Sequence, residues 1–141
     1  MRIRPSVNNS DELTIFVNDT KITFLYYPFT LIQPTIDIEG LQVANLKELA
    51  AMKAYTIGRR ADYKDYVDIY YLLAGKYTLL QEVIEIAKEK YRDDFNDRLF
   101  LEQLIYLDDI NTTKIELLKK EQLTKASMKV FFMNEVKNIV L

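Results

Sequence analysis

A lysine and two aspartates stand where helices would ordinarily place other residues. Lys53 shares helical spacing with Leu46, Leu49, Ala50 and Ile57, so a cation emerges through an apolar stripe. Further on, Lys64, Asp65 and Asp68 crowd one turn of "DYKDYVDIYYLL". Two readings of Lys53 stand side by side. Its stem lies on apolar surface while the ammonium snorkels to water, or the ammonium enters a cleft as a point charge for phosphate. Asp65 and Asp68 are i, i+3 neighbours, and such a like-charge pair costs a few tenths of a kcal/mol. Acids at positions 62 and 65 complement the dipole of a helix first turn. Asp68 lies a turn deeper, between Val67 and Ile69, where that explanation is weaker.

Composition narrows the chemistry. The chain has no Cys and no His. This removes disulfides, thiolate and imidazole nucleophiles, Ser-His triads and zinc sites. Acid–base work falls to Asp, Glu, Lys or Tyr, and any metal would be a hard ion such as Mg²⁺ on carboxylates. A net charge of −2 argues against a broad basic face for duplex DNA, while a local basic pocket remains compatible. No segment has the length and apolarity of a signal peptide core or a membrane span, so the expectation is a cytoplasmic protein without membrane contact.

The elements that must position these charges follow from period. Leu13, Ile15 and Val17 alternate, as do Ile22, Phe24 and Tyr26 beyond Asn18-Asp19-Thr20, which predicts a β-hairpin with one buried face. "PFTLIQPTIDIEG" reads as a Pro-bounded connection and "LQVA" as a short third strand. Asn45 and Glu48 form a capping box for a helix ended by Gly58 as its C′ residue. Asp62 caps a second helix, which runs to about Ala74 and stops at Gly75. "KYTLLQEVIEIAKEKY" and "NDRLFLEQLIYLDDI" are two more amphipathic helices. "NTTKIELLKK" opens with cap-like residues, and "KASMKVFFMNEVKNIVL" is a last helix or a partly ordered tail. Strands before helices give an α+β fold, a hairpin followed by a helical bundle. Residues 1–45 and 46–141 are expected to form one domain. Its core should hold Leu46, Leu49, Ile57, Val67, Leu72, Leu73, Val83, Ile84, Leu101 and Leu104. The acids at 93, 94, 97, 108 and 109 read as loop, cap or helix-end surface. An open hairpin edge invites pairing, so a second copy, a partner or the segment 1–9 should cover it.

The stretch "LKELAAMKAYTIGRRADYKDYVDIYYLL" resembles the signature of the AbiEii/AbiGii toxin family of nucleotidyltransferases. Leu49 and Lys53 match a Leu-x₃-Lys-x₂-Ala motif, with Thr56 in place of Ala. Lys64, Asp65 and Asp68 match an Arg-x-Lys-Asp-x₂-Asp motif, with Asp62 in place of Arg and with Arg59 and Arg60 just upstream as substitutes. The likeness runs from about Leu13 to Tyr106.

The resemblance implies a polymerase-β-type nucleotidyltransferase fold. It implies Lys53, Lys64, Asp65 and Asp68 as catalytic residues, with Lys53, Arg59 and Arg60 against nucleotide phosphates. It also implies NTP and Mg²⁺ as substrate and cofactor, RNA or a protein side chain as acceptor, and an antitoxin as partner. The family's front, a Gly-Ser turn followed by Asp-x-Asp, has no counterpart; Asp37-Ile38-Glu39 comes nearest but lies after the hairpin. No metal-binding residue is therefore assigned. The expectation is the latter part of such a domain: a fragment, a split gene or a repurposed module. It would bind NTP phosphates without completing the transfer alone, or act as a non-catalytic nucleotide-, RNA- or partner-binding module. A purely structural helical domain is the remaining alternative.

Overall fold

A computed structural model describes residues 2–60, 62–117 and 123–140. The chain divides into two compact units, Met1–Thr30 and Leu31–Leu141.

The first unit is a three-stranded antiparallel sheet of β1 (Ile3–Asn8), β2 (Glu12–Val17) and β3 (Thr20–Leu25), with β2 central. The hairpin closes one residue tighter than expected. Val17 pairs with Thr20, and the loop is Asn18-Asp19, with Asn18 at φ 52°. Asn is among the few residues that tolerate this conformation. Strand β1 (Ile3–Asn8) covers the β2 edge of the hairpin, as expected of that segment, while β3 has no further strand beside it among the described residues. Its Pro5 sits on an edge strand beside an irregularity between Pro5 and Val7, the two places a sheet accepts proline. One expectation fails. The alternating apolar face is not buried: Phe24 is 57% exposed, and Leu13 and Ile22 are also exposed. The buried side chain of β2 is Thr14, whose hydroxyl bonds Thr23 at 2.8 Å and Glu12 at 2.6 Å. Period 2 identifies two faces but not which of them is covered.

The second unit begins with a hairpin that sequence reasoning half missed, β4 (Ile36–Ile38) and β5 (Leu41–Val43). Its loop is Glu39-Gly40, both at positive φ, which is the natural two-residue hairpin geometry. Asp37 is consumed by this turn: one oxygen accepts from the Gly40 N–H and the other from the Gln42 amide.

Among the described residues five helices follow: α1 (Leu46–Ile57), α2 (Tyr63–Ala74), α3 (Leu80–Tyr91), α4 (Asp97–Ile105) and α5 (Lys125–Val136), with a 3₁₀ turn at Arg92–Asp94. Helix α1 packs chiefly on α3 and α2. Its buried apolar face is Ala50, Ala51, Ala54 and Ile57, three of them alanines, whose small side chains allow close packing. This face is rotated from the expected stripe: Leu46 is 40% exposed and Leu49 half-buried. The other eight expected core residues are buried. Helix α5 is well formed. Thr124 and Ser127 cap it reciprocally, and Met128 and Phe132 are buried. Residues 111–117 are not helical, and the rest of "NTTKIELLKK" lies outside the described residues. Neither Gly58 nor Gly75 adopts a left-handed conformation. After α2 it is Lys76 that does, at φ 56°. No helix among the described residues is long and apolar enough to cross a membrane.

Candidate functional site

Helix α1 starts where Asn45 accepts hydrogen bonds from the N–H groups of Lys47 and Glu48. Helix α2 starts where Asp62 accepts from the Lys64 N–H. The connection between them is so short that the end of α1 and the start of α2 must lie side by side. Lys53 and the acids of α2 therefore meet. The Lys53 ammonium donates to Asp65 Oδ1 at 2.9 Å and pairs with Asp68 Oδ2. One cation thus serves two carboxylates a turn apart, which offsets their mutual repulsion.

Exposure differs sharply within this trio. The Asp65 side chain is 2% exposed, that of Lys53 21% and that of Asp68 48%. The site is a charged well with a buried floor and an open rim. Burial acts against the ammonium, but hydrogen bonds and charge from Asp68 and Asp65 outweigh it and hold the Lys53 pKa above its ordinary value. Asp65 Oδ2 is buried and accepts no hydrogen bond. The Arg60 guanidinium lies 3.7 Å from it. Arg60 thereby brings a guanidinium to the acid although the motif's own Arg position is Asp62.

Two expected site residues go elsewhere. Lys64 is exposed and pairs with Asp62 at 3.5 Å. Arg59 lies over the Tyr55 ring at 4.3 Å and reaches Asp94 at 3.9 Å. Thr56, which replaces the motif's Ala, donates back to the Met52 carbonyl at 2.9 Å. Beside Asp65 on α2, Tyr66 is fully buried and donates to the Gln103 carbonyl at 3.1 Å. Burial, and secondarily the Asp65 charge, push its phenol up to about 12.

A second cluster escaped sequence reasoning. Glu48 is not reciprocating the Asn45 cap. Its carboxylate accepts from buried Lys90 at 2.5 Å and from the backbone N–H groups of Ile32 and Gln33 at 3.1 and 2.9 Å. The signal was available: Lys90 recurs with Val83 and Ala87 on the apolar face of α3, the same anomaly that marks Lys53.

Residues 12–137 match the family described as "Nucleotidyl transferase AbiEii toxin, Type IV TA system". This chain belongs to the AbiEii family. The match extends past the expected limit at Tyr106 to take in α5. A protein of Aquifex aeolicus (strain VF5), named "Uncharacterized protein aq_aa25", is 30% identical over 111 residues, 77% of this chain and 53% of that protein. The chain thus spans about half the length of that relative. No solved structure matches it.

AbiEii membership raises the question of a metal-held nucleotide. Among the described residues no group of three or more His, Cys, Asp or Glu side chains is placed to hold a metal ion. Asp65 and Asp68 are already committed to Lys53, and Asp37 to its turn. Among the described residues these acids, as arranged, do not form a Mg²⁺ site. The cationic side, Lys53 with Arg60, is compatible with phosphate.

Proposed function

We propose that this chain supplies the lysine–aspartate part of a nucleotidyl-transfer site belonging to a toxin–antitoxin system. The observation that carries this reading is the convergence of Lys53, Asp65 and Asp68 in one well, beside Arg60 and an Asp65 oxygen that accepts no hydrogen bond. NTP is the ligand, RNA or a protein side chain the acceptor, an antitoxin the partner and the cytoplasm the compartment.

In this reading the residues have different tasks. Lys53 contacts the phosphates. Asp65 is a positioning residue, because a buried carboxylate cannot release its cation without a large desolvation cost. Asp68 is the releasing partner, since water can solvate its half-exposed carboxylate when Lys53 turns to a phosphate. Arg60, on the rim, adds a second cation for a phosphate oxygen. Lys64 takes no part in phosphate contact, which departs from the family motif.

The four charges of the well cancel, so phosphate must compete with Asp68 for Lys53 and binding is weak. With no carboxylate set for Mg²⁺ among the described residues, the chain on its own binds nucleotide without transferring it. Calorimetric titration with NTP at low salt tests the reading. Lys53→Met should abolish binding, whereas Asp93→Ala should leave it unchanged. Binding insensitive to Lys53→Met in a folded variant sinks it. Robust Mg²⁺-dependent labelling of RNA by the purified chain would refute the claim that the chain alone does not transfer.

A further inference from the structure

The open side of the well continues into a groove of about 560 Å³. Asp68 belongs to both, pairing with Lys53 and lining the groove. The remaining walls combine three tyrosines with aliphatic residues such as Val67, Ile115 and Leu117. Tyr70 and Tyr71 come from α2, Tyr77 from the turn after it, and Glu116 adds a second carboxylate. The Tyr70 ring is held edge-on against Tyr71 at 5.4 Å and Phe131 at 5.0 Å.

Tyr77 is placed by construction. It is 59% exposed, yet its ring lies 2.5 Å from where a Cβ on Gly75 would sit, so only glycine lets the ring fold back over the helix end. The left-handed Lys76 makes that reversal. A large, solvent-facing aromatic held by a glycine and a rare backbone conformation is a surface prepared for something flat.

Charge selects the occupant. Among the described residues the polar side chains lining the groove include the carboxylates of Asp68 and Glu116, which accept hydrogen bonds from a ring bearing N–H donors. The volume lies within the range of small-molecule sites. Asp68 and Gly75 are separated by seven residues of α2, about 10 Å along the helix, the reach of a nucleoside from its base to its 5′ phosphates.

We propose that this groove holds an amino-bearing nucleobase, stacked on Tyr77, of the nucleotide whose phosphates lie at Lys53 and Arg60. The proposal rests on the phosphate-binding reading above and extends it to the base.

Calorimetric titration of the full chain with ATP, adenosine and inorganic tripolyphosphate separates the two. ATP should bind at least tenfold more tightly than tripolyphosphate. Tyr77→Ala should remove about tenfold of ATP affinity, as loss of one base–aromatic stack does, and leave tripolyphosphate unchanged. Glu116→Gln, on an exposed side chain, should weaken adenosine and ATP alike. The melting temperature of each variant shows that it is folded. ATP and tripolyphosphate binding equally, both lost in Lys53→Met, would overturn the groove and leave the phosphate reading intact. Adenosine binding sensitive to Tyr77→Ala without any tripolyphosphate binding would uphold the groove and overturn the phosphate reading. Binding of none of the three would overturn both.

Discussion

Helix α1 carries three charged residues that pair with neighbouring helices, Lys47 with Glu82 at its exposed start and Glu48 and Lys53 further on, and the clusters around Glu48 and Lys53 are built to opposite specifications. Glu48 and Lys90 are both 0% exposed, and both Glu48 oxygens are used, by one ammonium and two backbone N–H groups. Lys53, Asp65 and Asp68 run from buried to half-exposed, one Asp65 oxygen has no hydrogen bond, and a guanidinium stands just out of bonding range. A closed, saturated cluster fixes structure, because no partner can be exchanged without exposing or orphaning a charge. An open, unsaturated cluster is where an incoming anion can displace a partner at modest cost. Ion pairs alone do not mark a site; spare capacity next to solvent does.

The largest expected effect lies in the closed cluster. Lys90→Met should destabilise the fold by about 3–5 kcal/mol, the usual result of stranding a buried charge, measured by urea denaturation. The double variant Glu48→Leu with Lys90→Met sharpens the point. Removing a buried pair together is often neutral, but here the N–H groups of Ile32 and Gln33 would lose their acceptor. Stability should therefore not recover, since each orphaned donor costs about 1–3 kcal/mol. Full recovery would show that the pair is only electrostatic and not a clamp on residues 32–33.

Alkaline pH reaches the open cluster through its neighbour. The folded pKa of Tyr66, at about 12, lies above its unfolded value, so the fold holds that proton more tightly than the unfolded chain does. The contribution is complete below about pH 10 and disappears as pH rises toward 12. At about 1.4 kcal/mol per pH unit, the loss is on the order of 2–3 kcal/mol. Lys53, also raised, loses its contribution in the same direction. Tyr66→Phe should flatten the alkaline limb of a stability–pH curve measured by urea denaturation.

Within the open cluster the effects shrink. Lys53→Met should cost roughly 1.5–3 kcal/mol, the value of a hydrogen bond to a charged group, and less than Lys90→Met because Arg60 stays near the buried Asp65 and water solvates Asp68 at the rim. A loss as large as that of Lys90→Met would erase the distinction between the clusters. Smallest of all, Lys64→Ala should change stability by less than about 0.5 kcal/mol, as exposed ion pairs do, and leave nucleotide binding as it was. A measurable loss of nucleotide affinity would restore Lys64 to the site.

Local chemistry alone determined much of this protein. Period, caps and turn residues located the first hairpin and four helices. The spacing of Lys53, Asp65 and Asp68 across a short connection required the contact that the structure contains. The same residues carried the family resemblance. What depends on orientation was decided by tertiary packing. A stripe of Leu46, Leu49 and Ile57 looks right by hydrophobicity, yet α1 turns its alanines inward because α2 and α3 come close, and Lys53 moves to the edge of the packed face. Lys64 and Arg59 are as charged as Lys53, but each found a partner of its own in Asp62 or Asp94. Glu48 reads as a cap residue until Lys90 arrives from another helix. Spacing specifies which residues can meet, and packing specifies which of them keep a free oxygen and a path to water.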